Sequence, residues 1–157
     1  MALVAIVGIT RLAAFAEFPK LARESSRQEP FLERDMIKAM KFVGVPVSDQ
    51  DRALEFYTKK LGFRIITDQP MGPGQRWIEI GVGRNGSSGL ALFTPKGHED
   101  RIGTFTGISF VADDVKATWK ELVAKGVKFV QEPKEADWGT SAIFADPDGN
   151  QFVLGSA

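Results

Sequence analysis

One structural phrase occurs twice in this chain. "FVGVPVSDQDRALEFYTKKLGFRI", Phe42 to Ile65, opens on a β-branched apolar run, meets Ser48 and Asp49 at a helix start, and closes its amphipathic stretch at Leu61-Gly62. "GISFVADDVKATWKELVAKGVKFV", Gly107 to Val130, follows the same course, with Asp113 and Asp114 at the helix start and Lys125-Gly126 at its end. An acid at the start and a glycine stop near a lysine satisfy the free N–H and C=O groups of a helix and suit its dipole. Each copy continues into apolar runs split by a turn: "RWIEI", "GVGRNGSSG" and "LALFTP" after the first, "SAIFA", "DPDGN" and "QFVL" after the second. Such runs read as hairpins. Each half therefore predicts strand, helix and about three further strands, and repetition on this scale predicts two copies of one unit packed together.

The length of 157 residues suits one ordinary domain. Residues 1–35 lie outside the repeat and read as an appendage: the apolar "MALVAIVGIT", a short amphipathic helix, then the polar linker "RESSRQEP". The patterned domain is expected over residues 36–157, and Met36 would serve as its natural start. "AFA" at Ala14 to Ala16 has the small-x-small look of a signal cleavage site, but no basic region precedes it and Arg11 interrupts the apolar segment. A cytoplasmic protein is the expectation. The formal net charge is zero, which offers nothing to attract nucleic acid. With no cysteine, disulfides, thiolate catalysis and Cys-based zinc sites are excluded. No apolar run approaches the roughly 20 residues that span a bilayer, so no membrane partner is expected.

In "ADPDGNQFVL", Ala145 to Leu154, Asp146, Asp148 and Asn150 offer oxygens at alternate positions, as a calcium loop does at its start. The rest of that pattern is missing. Gly149 comes fourth rather than sixth, and no Glu arrives at the twelfth position. Asp-Pro and Asp-Gly-Asn are turn chemistry, because Pro147 presets φ and Gly149 and Asn150 tolerate positive φ.

"VPVSDQDRALEFYTKKLGF", "VADDVKATWKELVAKGV" and "DPDGNQFVL", in this order and spacing, resemble the vicinal oxygen chelate superfamily of glyoxalases, bleomycin-resistance proteins and extradiol dioxygenases. The resemblance spans about Lys38 to Leu154. It implies an α+β fold of two paired βαβββ modules curling around a cleft, often assembled as a dimer. Enzymes of that superfamily hold a divalent metal with one inward side chain from each of four strands. Carried onto this chain, those positions are Phe42, Ala91, Gly107 and Val153, none of which has a donor side chain. The expectation is a protein without metal or other cofactor at the usual site.

Strand alternation groups Gly44 with Phe42, Phe93 with Ala91, Ser109 with Gly107 and Gln151 with Val153. In "RWIEI" either Trp77 and Glu79 or Ile78 and Ile80 share that face. Phe42, Trp77, Phe93 and Trp138 are candidates to stack a flat ligand, with Ser109, Gln151 or Glu79 orienting it; Phe42 and Phe93 serve equally well as core fillers. Glu79 is the candidate catalytic base, because a carboxylate buried among aromatic groups gains basicity. Trp119 and Tyr57 are expected to pack. His98 stands in a charged connector beside Glu99 and Asp100. The main expectation is a homodimeric protein binding a small apolar or aromatic molecule. The alternative is a lyase or dioxygenase-type enzyme with a metal displaced to His98 and Glu79, or with Glu79 acting alone.

Overall fold

The computed structural model describes residues 37, 39–73, 75–83 and 88–157. The appendage expected over residues 1–35 lies outside them. Within the unit Ala39–Ala157, the first module runs β1 (Val43–Pro46), α1 (Gln50–Glu55), a turn of π-helix (Phe56–Lys60), β2 (Arg64–Gly72), β3 (Gln75–Val82) and β4 (Ser88–Phe93). A short 3₁₀ turn, Glu99–Arg101, precedes the second module: β5 (Phe105–Ala112), α2 (Val115–Ala124), β6 (Lys128–Ala136), β7 (Gly139–Ala145) and β8 (Gln151–Ser156). Both modules are the expected strand, helix and three strands.

The helix boundaries fall where the local chemistry sets them. The Asp49 carboxylate accepts the N–H of Arg52 at 3.0 Å, and Asp114 accepts that of Ala117 at 2.9 Å. Gly62 and Gly126, with φ of 74° and 76°, turn the chain out of each helical segment in the left-handed conformation.

Each module forms one four-stranded sheet, ordered β1-β4-β3-β2 and β5-β8-β7-β6. In both, the first strand pairs in parallel with the last and the others pair antiparallel. The register places Val45 beside Leu92 and Leu92 beside Ile78, so one face of the first sheet is continuously apolar. That face joins a single core with Ala53, Phe56 and Tyr57 of the first helical segment and with Phe144, Phe152 and Leu154 of the second sheet. Aromatic rings bridge the modules: Tyr57 meets Phe152 edge-on at 6.2 Å, and Phe63 lies 5.5 Å from Phe110. Burying such a side chain is worth roughly 1.5–3 kcal/mol, and this seam holds the modules together. Because side chains alternate along a strand, the intervening positions of both sheets point away from the core.

Candidate functional site

The "DPDGN" motif is a turn. The Asp146 N–H donates to the Asn150 carbonyl at 3.0 Å, and Asp146 Oδ1 accepts the N–H groups of Asp148 and Asn150, both at 2.9 Å. The turn also ties the modules together. Asn150, fully buried, donates from Nδ2 to the Pro46 carbonyl at 2.8 Å and to Asp146 Oδ2 at 2.8 Å, and accepts the Gly103 N–H at Oδ1, 2.9 Å. Asp148 accepts from the Ser48 N–H at 3.1 Å and from Arg52 Nη2 at 2.5 Å. Tyr57, expected only to pack, is buried and donates its hydroxyl to Asp146 Oδ2 at 2.9 Å. Burial pushes the Tyr57 phenol well above its ordinary value, and the Asp146 charge pushes the same way. Burial also raises the Asp146 carboxyl, outweighing the hydrogen bonds from Asn150 and Tyr57 that favour its ionised form.

The strand beyond the turn sets the second half of the candidate face. Val153 pairs with Ser109 and with Ile143, so all three occupy one side of the second sheet, opposite the core residues Phe152 and Leu154. Gln151 shares that side. Phe105 and Val111 of β5, on the same face, are 57% and 69% exposed. Gly107 has φ of 72° and lies where the β5–β8 register shifts, so the strand bulges at one of the four metal positions that the resemblance implies.

On the first sheet, Ile78 and Ile80 are in the core, which decides the alternative in "RWIEI": Trp77 and Glu79 point to the outer face. Glu79 pairs with Ala91, and Ala91 with Gly44. Phe42 meets the Trp77 ring edge-on at 5.2 Å, and Trp77 Nε1–H donates to Glu79 Oε1 at 2.9 Å. The ring of Phe93 covers Gly44 so closely that an added Cβ there would stand 3.0 Å from Cε1. Phe42, Trp77, Glu79 and Phe93 thus form one half-buried aromatic patch around a carboxylate. Two basic side chains that the sequence did not single out border it. Lys41 Nζ lies 3.8 Å from Glu79 Oε1 and 5.8 Å from the Phe42 centroid, and Arg101 Cζ lies 5.9 Å from the Phe93 centroid.

The sequence candidates therefore fall into three places. Phe42, Trp77, Glu79 and Phe93 lie on the first sheet, Ser109 and Gln151 on the second, and Trp138, 73% exposed, near the tip of the β6–β7 hairpin. Trp119 is half-buried on α2, with its Nε1–H buried and unpartnered among the described residues. His98 is exposed just before the 3₁₀ turn, and among the described residues no three metal-ligating side chains converge. A divalent ion needs several oxygen, nitrogen or sulfur donors. The ring, methyl, hydrogen and isopropyl groups at Phe42, Ala91, Gly107 and Val153 supply none, so these positions do not fit the metal that family enzymes carry.

Residues 39–154 match the model of the Glyoxalase/Bleomycin resistance protein/Dioxygenase superfamily. An uncharacterized protein of Bacillus subtilis (strain 168), YetH, is 35% identical over 131 residues, covering 76% of this chain and 98% of its own. Among solved structures, a member of the same superfamily from Sphaerobacter thermophilus DSM 20745 superimposes with a TM-score of 0.71 at 35% identity, covering 78% of this chain and 99% of that one. TnmS3, an antibiotic binding protein from Streptomyces sp. CB03234, does so with a TM-score of 0.65 at 34% identity, covering 77% and 97%. With its two βαβββ modules and a match that runs through both of them, this chain belongs to the Glyoxalase/Bleomycin resistance protein/Dioxygenase superfamily.

Proposed function

We propose that this protein binds a flat, mostly apolar or aromatic small molecule on the Phe42–Trp77–Phe93 patch and holds it without metal. The observation that carries the reading is the patch itself: three aromatic rings on the outer face of a sheet, with Phe42 at one of the metal positions that the resemblance implies. Aromatic faces away from the core recognise planar ligands through stacking and desolvation. The likeness to an antibiotic binding protein supports the same reading. We further propose a homodimer as the binding unit. Ser109 and Gln151 lie on the other sheet, whose outer face exposes Phe105 and Val111. A second copy that lays this face over the aromatic patch would complete the site and cover that apolar surface.

The test is a panel of planar aromatic molecules titrated against tryptophan fluorescence, in the presence and absence of EDTA. Saturable quenching that ignores the chelator and weakens in Phe42→Ala, which keeps the Trp77 fluorophore, supports the reading; binding that vanishes with EDTA rules it out. Light scattering on Val111→Glu tests the assembly. The exposed side chain can change without disturbing the fold of one copy, so a dimeric wild type and a monomeric variant are expected, and a monomeric wild type would dismiss the dimer.

A further inference from the structure

The aromatic patch carries an unequal set of charges, and this points to the kind of ligand it accepts. Glu79, its one acid among the described residues, is only 12% exposed at the side chain and accepts the Trp77 N–H at 2.9 Å, with Lys41 Nζ 3.8 Å from the same oxygen. Arg101 borders Phe93 and is offset by nothing: among the described residues its guanidinium makes no ion pair and no side-chain hydrogen bond. Its neighbour Glu99 is engaged with the Gly97 N–H at 2.9 Å, and Asp100 makes no ion pair with it. The Arg101 backbone is fixed meanwhile, since its N–H donates to the His98 carbonyl and its own carbonyl accepts the Thr104 hydroxyl. One side of the patch therefore holds a carboxylate engaged by the Trp77 N–H beside the Lys41 ammonium, and the other an anchored strand of connector with a fork of N–H donors over an aromatic ring. Such a fork matches a carboxylate in two parallel hydrogen bonds, and its N–H groups can also converge on the single oxygen of a phenolate.

Resting on the aromatic-patch reading, we infer that the ligand is a planar aromatic acid, its ring system on Phe42, Trp77 and Phe93 and its carboxylate or phenolate against Arg101. Arg101 is then the specificity-determining residue, contributed by the segment that joins the two modules. It selects for the ligand's charge, whereas the rings select for its shape.

The experiment compares two probes of one shape, anthraquinone-2-carboxylate and anthraquinone-2-carboxamide, with the full chain at low salt, read by tryptophan quenching. The acid is expected to bind at least about tenfold more tightly than the amide, as a charge-assisted hydrogen bond allows. The preference should shrink with added salt, disappear in Arg101→Ala and survive in part in Arg101→Lys. Arg101 is exposed, and circular dichroism confirms that the variants fold. Equal affinity for both probes, with both weakened in Phe42→Ala, which keeps the Trp77 reporter, would overturn this inference and leave the aromatic site standing. An acid preference unchanged in Arg101→Ala would overturn the role of Arg101, and failure of both probes to bind would remove both readings.

Discussion

Replacing Asn150 by Ala tests whether the "DPDGN" turn is an inter-module tie or only a connection between strands. The substitution removes three hydrogen bonds at once: to the Pro46 carbonyl, to the Asp146 carboxylate and from the Gly103 N–H. Two of these are neutral, worth about 1 kcal/mol each, and the one to a carboxylate is worth roughly 1.5–3 kcal/mol. The site is fully buried, so the groups left behind gain few compensating waters. The expected loss is about 3–5 kcal/mol, a large fraction of the roughly 5–15 kcal/mol that stabilises a domain. Urea unfolding followed by both far-ultraviolet circular dichroism and tryptophan fluorescence measures it. Asn150→Asp should be at least as damaging at neutral pH, because it keeps the shape but sets a second carboxylate against Asp146 and leaves the Pro46 carbonyl without a donor. A loss under about 1 kcal/mol for Asn150→Ala, with the urea dependence unchanged, would refute the tie.

Tyr57→Phe removes one hydrogen bond to a buried carboxylate while keeping the ring, and should cost about 2 kcal/mol in the same assay. Asp146 titrates above its ordinary value in the fold, so its contribution to stability is fully present below the unfolded pKa and is lost as pH rises through the folded one. The cost of Asp146→Asn should accordingly be smaller at pH 7 than at pH 4, and a cost that grows with pH would contradict the raised pKa. Gly62→Ala meets no atom within 4 Å but forces a side chain into φ of 74°, so thermal melts should show a loss of about 1–2 kcal/mol from backbone strain alone. Trp119→Phe gives up some packing and also removes an unpartnered buried N–H; its net effect on the urea midpoint should stay within about 1 kcal/mol.

Much of this architecture is written locally and can be read without coordinates. Asp49 and Asp114 cap helices, Gly62 and Gly126 end helical segments, and Asp146 to Asn150 turn between strands, because each of these depends on residues a few positions away. The repeat itself announces two like modules, and the absence of donor atoms at Phe42, Ala91, Gly107 and Val153 needs only the residue types. Alternation along "RWIEI" separates Trp77 and Glu79 from Ile78 and Ile80, but a period of two cannot say which pair is buried. The packing of the core against Ile78 and Ile80 decides it. Tertiary structure alone puts the Phe93 ring over Gly44, the Arg101 guanidinium beside Phe93 and the Tyr57 hydroxyl on Asp146. It also divides the candidate residues between two sheets, since the core takes one face from each and turns the other faces outward. These contacts join positions far apart in the chain, and local periodicity carries no information about which distant side chain will complete them.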